Sequence, residues 1–429
     1  MKFYNREKEL QTLNNYVGKG VFGYMTGRRR IGKTALLKRF CELVNGVYHQ
    51  AVTGTTQQQL EYLVDDIKAS IKPFDDLKPK TWAEFFKILS LADSLPPVII
   101  FDEFPFWVAA DETLPSVLQK WIDHELPKKA TELIVAGSSQ TMMYSQFLKH
   151  DAPLYGRSLF HLHLEPLAYR FFCKARCLQM KDPESFRLYS LVGGIPHYWR
   201  LLNNRNILEE VESLYFEPSA ILSDEPLTLL RDEGVLGNTP AAILGLIGKG
   251  VARSGEMAAR MGVPQGNLSK PLLQLLDLGL ICRQLPFGET LKTSKRVLYT
   301  IIDPALAFYY GTVLPHRGRW PIYSKKEQQN LLNLHTSHCW ENYCRQVFPT
   351  AERYWDVNAE IDFVAYLSKD KLLVAECKWK KLSKQQEKDL VDNLKERFQK
   401  TKLAQKYSKI QFRIFSQSNI AELADSEQN

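Results

Sequence analysis

The sequence predicts an α/β fold built on a parallel sheet. Strand-length apolar runs, VFGYM (21–25), VYHQAV (47–52), PVIIFDE (97–103), ELIVAGSS (132–139) and LFHLHL (159–164), alternate with segments of helical length. Strands that alternate with helices pair in parallel, with both faces of the sheet covered. The first run leads into GRRRIGKT (27–34), which fits G-x-x-x-x-G-K-[ST] at every fixed position between a strand and a helix. Together these define a phosphate-binding core over residues 1–165.

Taken in order after the core, residues 166–235 show helical apolar spacing, as in PLAYRFFCKARCLQM and SFRLYSLVGG, and are expected to form a helical lid. Over 236–300, three short helical runs punctuated by Gly and Pro precede a basic hairpin ending near RVLYTIID, the order of a winged helix. A linker is expected over 301–330. The last unit, 331–429, is a small α/β domain: the helix HTSHCWENYCRQVF, a hairpin, a basic helix at about 384–406, and the strand KIQFRIF.

Composition sets outer limits. The chain has 429 residues, 45% hydrophobic and 24% charged, enough for about three domains. No apolar run approaches the roughly 18 residues that cross a bilayer, and MKFYNREKEL is charged, so a cytoplasmic protein with no membrane partner is expected. Seven scattered cysteines without a CxxC pair indicate reduced thiols. His335, His338 and Cys339 lie at i, i+3, i+4 spacing, but a structural zinc site needs a fourth ligand, so they read as one helix face. Between Lys369 and Arg413, 14 Lys/Arg stand against 6 Asp/Glu, so this stretch carries +8 by difference, as much as the whole chain. Such a run points toward nucleic acid, the alternative being a solvated basic helix; with the winged-helix order, DNA is the expected partner.

The phosphate loop has a definite chemistry. Gly27 and Gly32 let the backbone through Arg28, Arg29, Arg30 and Ile31 curl, so that its amides face the phosphates at a helix N-terminus. Lys33 reaches the β- and γ-phosphates, and the Thr34 hydroxyl is a ligand for Mg2+. Asp102, ending a buried strand, is expected to hold the magnesium through water, with Glu103 acting on the attacking water. Ser138 and Ser139, at the next strand end, are expected within reach of the γ-phosphate, and Arg157 is a candidate to supply charge to the transition state; the alternatives are a turn serine pair and a surface arginine. ATP and Mg2+ are the expected cofactors.

In the C-terminal stretch EIDFVAYLSKDKLLVAECKWKK (360–381), Asp362 falls in one strand, and Glu376 and Lys378 lie two apart in the next. Period-two alternation puts Glu376 and Lys378 on one face, beside Asp362 across the SKDK turn. Two carboxylates and a lysine in that arrangement suit a metal site that cuts phosphodiester bonds, with Glu341 of the preceding helix a further ligand. The alternative is the solvated face of an ordinary hairpin. In the winged-helix region, Gln265, Asn267, Ser269 and Lys270 open the candidate DNA-docking helix.

FYNREKEL (3–10), the GRRRIGKT loop, FDEF (101–104) and GSS (137–139) together resemble the archaeal-type ATPase family within the signal-transduction ATPases of the AAA+ superfamily. LVGGIPHYW (191–199) and YTIIDPALAFYY (299–310) are similar to segments downstream of the ATPase core in that family. The last portion resembles the domain of unknown function commonly fused to these ATPases, itself similar to the PD-(D/E)XK restriction-endonuclease-like fold. This chain departs from that motif by carrying Ile361 before Asp362. The resemblance implies an ATP-driven switch or homo-oligomer. It leaves open whether the tail cleaves DNA or only binds DNA or a protein.

Overall fold

The structure, a computed structural model, describes residues 3–235 and 237–426. The expected domain limits at residues 1, 236 and 429 lie outside them. Strands β1 (Val21–Thr26), β2 (Val47–Gln50), β3 (Val98–Asp102), β4 (Glu132–Ala136) and β5 (Phe160–His163) form one sheet in the order β2-β3-β4-β1-β5, with every pair parallel. β3 and β4 are buried at every position, which accounts for their unbroken apolar runs. Gly23 in β1 is required by packing: a Cβ there would lie 2.1 Å from the Phe160 ring. The carboxyl ends of β1, β3 and β4 share one edge, and residues 27–34, 102–103 and 138–139 therefore gather there.

Residues 166–235 are mainly helical, with Tyr169–Arg176, Pro183–Val192 and Glu225–Asp232 the longest segments. They share a continuous apolar core with the phosphate-loop helix Lys33–Val44. Next come the helices Asn238–Gly248, Ser254–Met261 and Ser269–Asp277, and then the antiparallel strands β6 (Ile281–Gln284) and β7 (Leu298–Ile301).

Within the stretch expected as a linker, residues 301–330, Pro304–Phe308, Tyr309–Val313 and Trp320–Ile322 are helical, with Phe308, Tyr309, Tyr310 and Trp320 buried. The domain limit at 331 falls inside a helix, because Lys325–Val347 begins earlier at a capping box of Ser324 and Glu327.

The C-terminal sheet runs β11-β10-β9-β8, from β8 (Glu352–Trp355), β9 (Glu360–Ser368), β10 (Lys371–Lys378) and β11 (Lys409–Ser416). β8, β9 and β10 pair antiparallel, and β11 lies parallel to β10. That parallel pair needs a crossover, which the helix Lys384–Gln399 supplies. The loop between β6 and β7 docks on β8, with the Phe287 amide donating to the Arg353 carbonyl at 2.8 Å and Arg296 Nη1 to the Trp355 carbonyl at 2.8 Å. Among the described residues no helix is long and apolar enough to cross a membrane.

Candidate functional site

The phosphate loop bends through positive φ at Gly27 (144°), Arg30 (68°) and Gly32 (103°), the last capping the helix Lys33–Val44. Gly27 is also sterically obligatory, since a Cβ there would lie 2.9 Å from the Leu164 carbonyl. Lys33 is buried, and its Nζ donates to the carbonyls of Gly27 at 2.6 Å and Arg28 at 3.1 Å. Burial lowers the Lys33 pKa, opposed by the charges of Glu103, Asp102 and Glu233. An anion entering the loop would relieve that burial cost.

Asp102 is fully buried at the end of β3. Its Oδ2 accepts from Thr34 Oγ1 at 2.6 Å and from Tyr48 OH at 2.8 Å, while Oδ1 accepts from the Glu103 amide at 2.9 Å. A hydroxyl and a carboxylate meeting at the loop are hard oxygen donors that fit magnesium. Glu103 accepts from Ser138 through the hydroxyl at 2.5 Å and the amide at 3.1 Å, so β3 and β4 deliver both residues to one place. Arg157 is not brought there. Its guanidinium binds Asp123 at 3.0 Å and the Tyr155 carbonyl at 3.2 Å, away from the loop of its own chain.

No local motif signals the loop's other partners. Arg28 pairs with Asp303 in the interior, Arg29 with Asp232, and Arg30 with Glu225. Glu233 accepts from the Gln140 amide at 2.8 Å, at the N-terminus of the helix Gln140–Phe147, and burial raises its pKa. Tyr48 is a further unforeseen neighbour of Asp102.

In the C-terminal unit, the β9–β10 register ends at Ala375 opposite Phe363, and one more step sets Glu376 opposite Asp362. Asp362 Oδ2 accepts from the Cys377 amide at 2.6 Å. Glu376 Oε1 pairs with Lys378 at 2.7 Å and Oε2 with Arg397 at 2.6 Å. Glu341 joins from the helix Lys325–Val347: burial, then the charges of Glu376 and Glu341, push Asp362 up to about 7. Burial raises Glu341 as well, against the pull of Arg345 and Arg353. Among the described residues no group of three or more His, Cys, Asp or Glu stands close enough to hold a metal ion. A magnesium site needs only one or two carboxylates, completed by water and substrate phosphate, and Asp362 with Glu376 fits that requirement.

The remaining candidates separate cleanly. His335 is buried and bonds the Ser190 carbonyl at 2.7 Å, as a helix-face residue would. Gln265, Asn267, Ser269 and Lys270 are all exposed, whereas the hairpin loop is committed to β8. A cleft of about 740 Å³ extends from Arg28 and Ile31 past Tyr299 to Glu341 and Arg345.

Residues 3–202 match the model of a family described as an ATPase domain predominantly from Archaea, and residues 309–390 match one of archaeal and bacterial proteins of unknown function. The chain is 28% identical over 435 residues to an uncharacterized protein of Methanocaldococcus jannaschii, covering 94% of this chain and 92% of that protein. Its fold is similar to that of the Walker-type ATPase of Pyrococcus abyssi, with a TM-score of 0.56 and 18% identity over 72% of this chain and 96% of that one. The first family match spans the parallel sheet and its complete phosphate loop, so that the chain is similar to the predominantly archaeal ATPase family over residues 3–202 and to the family of unknown function over residues 309–390.

Proposed function

We propose that the chain couples ATP hydrolysis to the binding and cutting of DNA. In the ATPase half, the loop amides and Lys33 take the nucleotide phosphates, Lys33 exchanging two backbone carbonyls for phosphate oxygens. Thr34 and Asp102 would hold magnesium, which would neutralise charge on the phosphates. Glu103, fixed by Ser138, orients the attacking water and accepts its proton.

DNA docks at the exposed helix start, Gln265 to Lys270, of a winged helix whose hairpin is packed against the C-terminal unit. Cleavage falls to that unit. Asp362 and Glu376 would hold a divalent cation, which would supply charge stabilisation at the phosphate, and Lys378 orients the attacking water or stabilises charge on the phosphate. The observation that carries this reading is the placement of two carboxylates, the buried Glu376 and the partly buried Asp362, opposite each other on adjacent strands, with a lysine two residues along. Like charges directly opposite are destabilising in a sheet, and a cation bound between Asp362 and Glu376 would offset that cost.

A second reading, a non-cleaving ATP-gated switch, is favoured by one observation: both Glu376 oxygens already have cationic partners. Incubating the protein with labelled single- and double-stranded DNA and RNA, in magnesium or manganese, with and without ATP, separates the two. Cleavage lost in EDTA supports the nuclease. No cleavage in any condition leaves the switch.

A further inference from the structure

The helix Lys384–Gln399 buries Leu394 and Phe398 in the C-terminal core. That anchoring carries Arg397 to the mouth of the carboxylate cluster, where Nη1 donates to the Glu360 carbonyl at 3.0 Å and Nη2 to Glu376 at 2.6 Å. Lys378 holds the other Glu376 oxygen at 2.7 Å. Glu376 therefore has two cationic partners, while Asp362 opposite it forms no ion pair among the described residues.

With all three carboxylates ionised, the local charges balance without a metal. Glu341, Asp362 and Glu376 face Arg345, Lys378 and Arg397, and Arg353 is engaged by Glu360. A divalent cation on Asp362 and Glu376 leaves this set two charges positive, and Glu376 has too few oxygens to serve all three cations. Lys378 is confined to the neighbourhood because it lies on the same strand. Arg397 comes from another element, is 35% exposed, and ends in a planar fork that matches two phosphate oxygens.

We propose that Arg397 is a substrate-phosphate residue of this site, held on Glu376 until a cation displaces it toward the phosphodiester beside Asp362. The inference rests on the reading of the C-terminal unit as a metal-dependent nuclease.

The test uses full-length wild-type, Arg397→Gln and Arg397→Lys proteins. Titration calorimetry with manganese alone should show Arg397→Gln binding the ion several-fold more tightly, because a competitor for Glu376 is gone. DNA affinity of Arg397→Gln should match wild type in EDTA and fall about tenfold in calcium, the loss of one charge-assisted hydrogen bond. Cleavage in magnesium should fall by a similar or larger factor, with Arg397→Lys recovering part of it. Weaker manganese binding by Arg397→Gln would make Arg397 a mere support for Glu376 and overturn the proposal, as would unchanged cleavage and calcium-dependent affinity. If wild type neither binds manganese nor cleaves, the nuclease reading falls and this inference with it. If wild type does both and Arg397→Gln matches it, only this inference falls.

Discussion

Arg28 in the phosphate loop and Asp303, 275 residues later, form an ion pair at 2.5 Å in the protein interior. Asp303 also caps the helix Pro304–Phe308, accepting from the Ala305 amide at 2.7 Å and the Leu306 amide at 3.1 Å. One carboxylate thus joins the nucleotide loop to the segment after β7. Asp303→Ala leaves the Arg28 charge buried without this partner and removes a helix cap, an expected loss of about 3–5 kcal/mol. Asp303→Asn keeps the cap acceptor and should cost less. Urea denaturation of the three proteins checks the order.

At the phosphate loop, Lys33→Ala should abolish ATP binding, since its ammonium lies in the loop beside the phosphate positions. Glu103→Gln should retain binding and lose turnover by about 10²-fold or more, the usual contribution of a general base. Equilibrium binding of a fluorescent ATP analogue, run beside phosphate release, separates the two effects. Hydrolysis by Lys33→Ala at the wild-type rate would remove the assignment.

Glu132 opens β4 fully buried, with neither carboxylate oxygen hydrogen-bonded, and burial pushes its pKa up to about 8. The folded state thus prefers the protonated acid, and the unfolded state ionises near the ordinary value. Stability is fully present below about pH 4.5 and is lost as pH rises through 8, by a few kcal/mol for a shift of this size. Glu132→Gln should flatten the dependence of melting temperature on pH between about 5 and 9 and raise it at the alkaline end. An unchanged pH profile would mean that Glu132 is hydrated in solution.

The contrast between Glu132 and Asp102 shows what the sequence could and could not convey. Each lies at the boundary of an apolar strand, and only the phosphate-loop motif marks Asp102 as functional. The parallel sheet and the Asp362–Glu376–Lys378 grouping are legible because strand periodicity and short-range spacing fix them. Asp303, Glu233 and Arg397 are not, because their partners lie 275, 93 and 21 residues away and depend on how packed elements meet. Asp303 is readable as a cap before Pro304, but nothing local announces Arg28. The segment 301–330, expected as a linker, contains a helix with Pro304 in its first turn, where proline is tolerated.

DNA binding at the helix start should depend on phosphate contacts. Lys270→Ala is expected to weaken binding to all sequences alike and to reduce the slope of log affinity against log salt by about one. Gln265→Ala should have a smaller effect, because its side chain already donates to Ser254 Oγ at 2.9 Å. Fluorescence anisotropy across a salt series measures both. Binding insensitive to salt would show that this helix contacts protein instead.

Asp362 gives the sharpest separation between folding and function. Its carboxylate faces Glu376 across β9 and β10 in a largely buried position, an arrangement that costs stability and is explained if a cation is bound there. Asp362→Asn removes one of the opposed charges and keeps the acceptor that receives the Cys377 amide. In EDTA it should therefore melt a few degrees higher than wild type, while cleavage in magnesium is lost and ATP hydrolysis continues. Lys378→Ala should also lose cleavage, but without the gain in stability, because it leaves Glu376 with one cationic partner instead of two. Differential scanning calorimetry, a plasmid-nicking assay and phosphate release on the same preparations read all three properties. An Asp362→Asn protein that melts lower than wild type and still cuts DNA would mean that these carboxylates belong to an ordinary hairpin face and that the active site lies elsewhere.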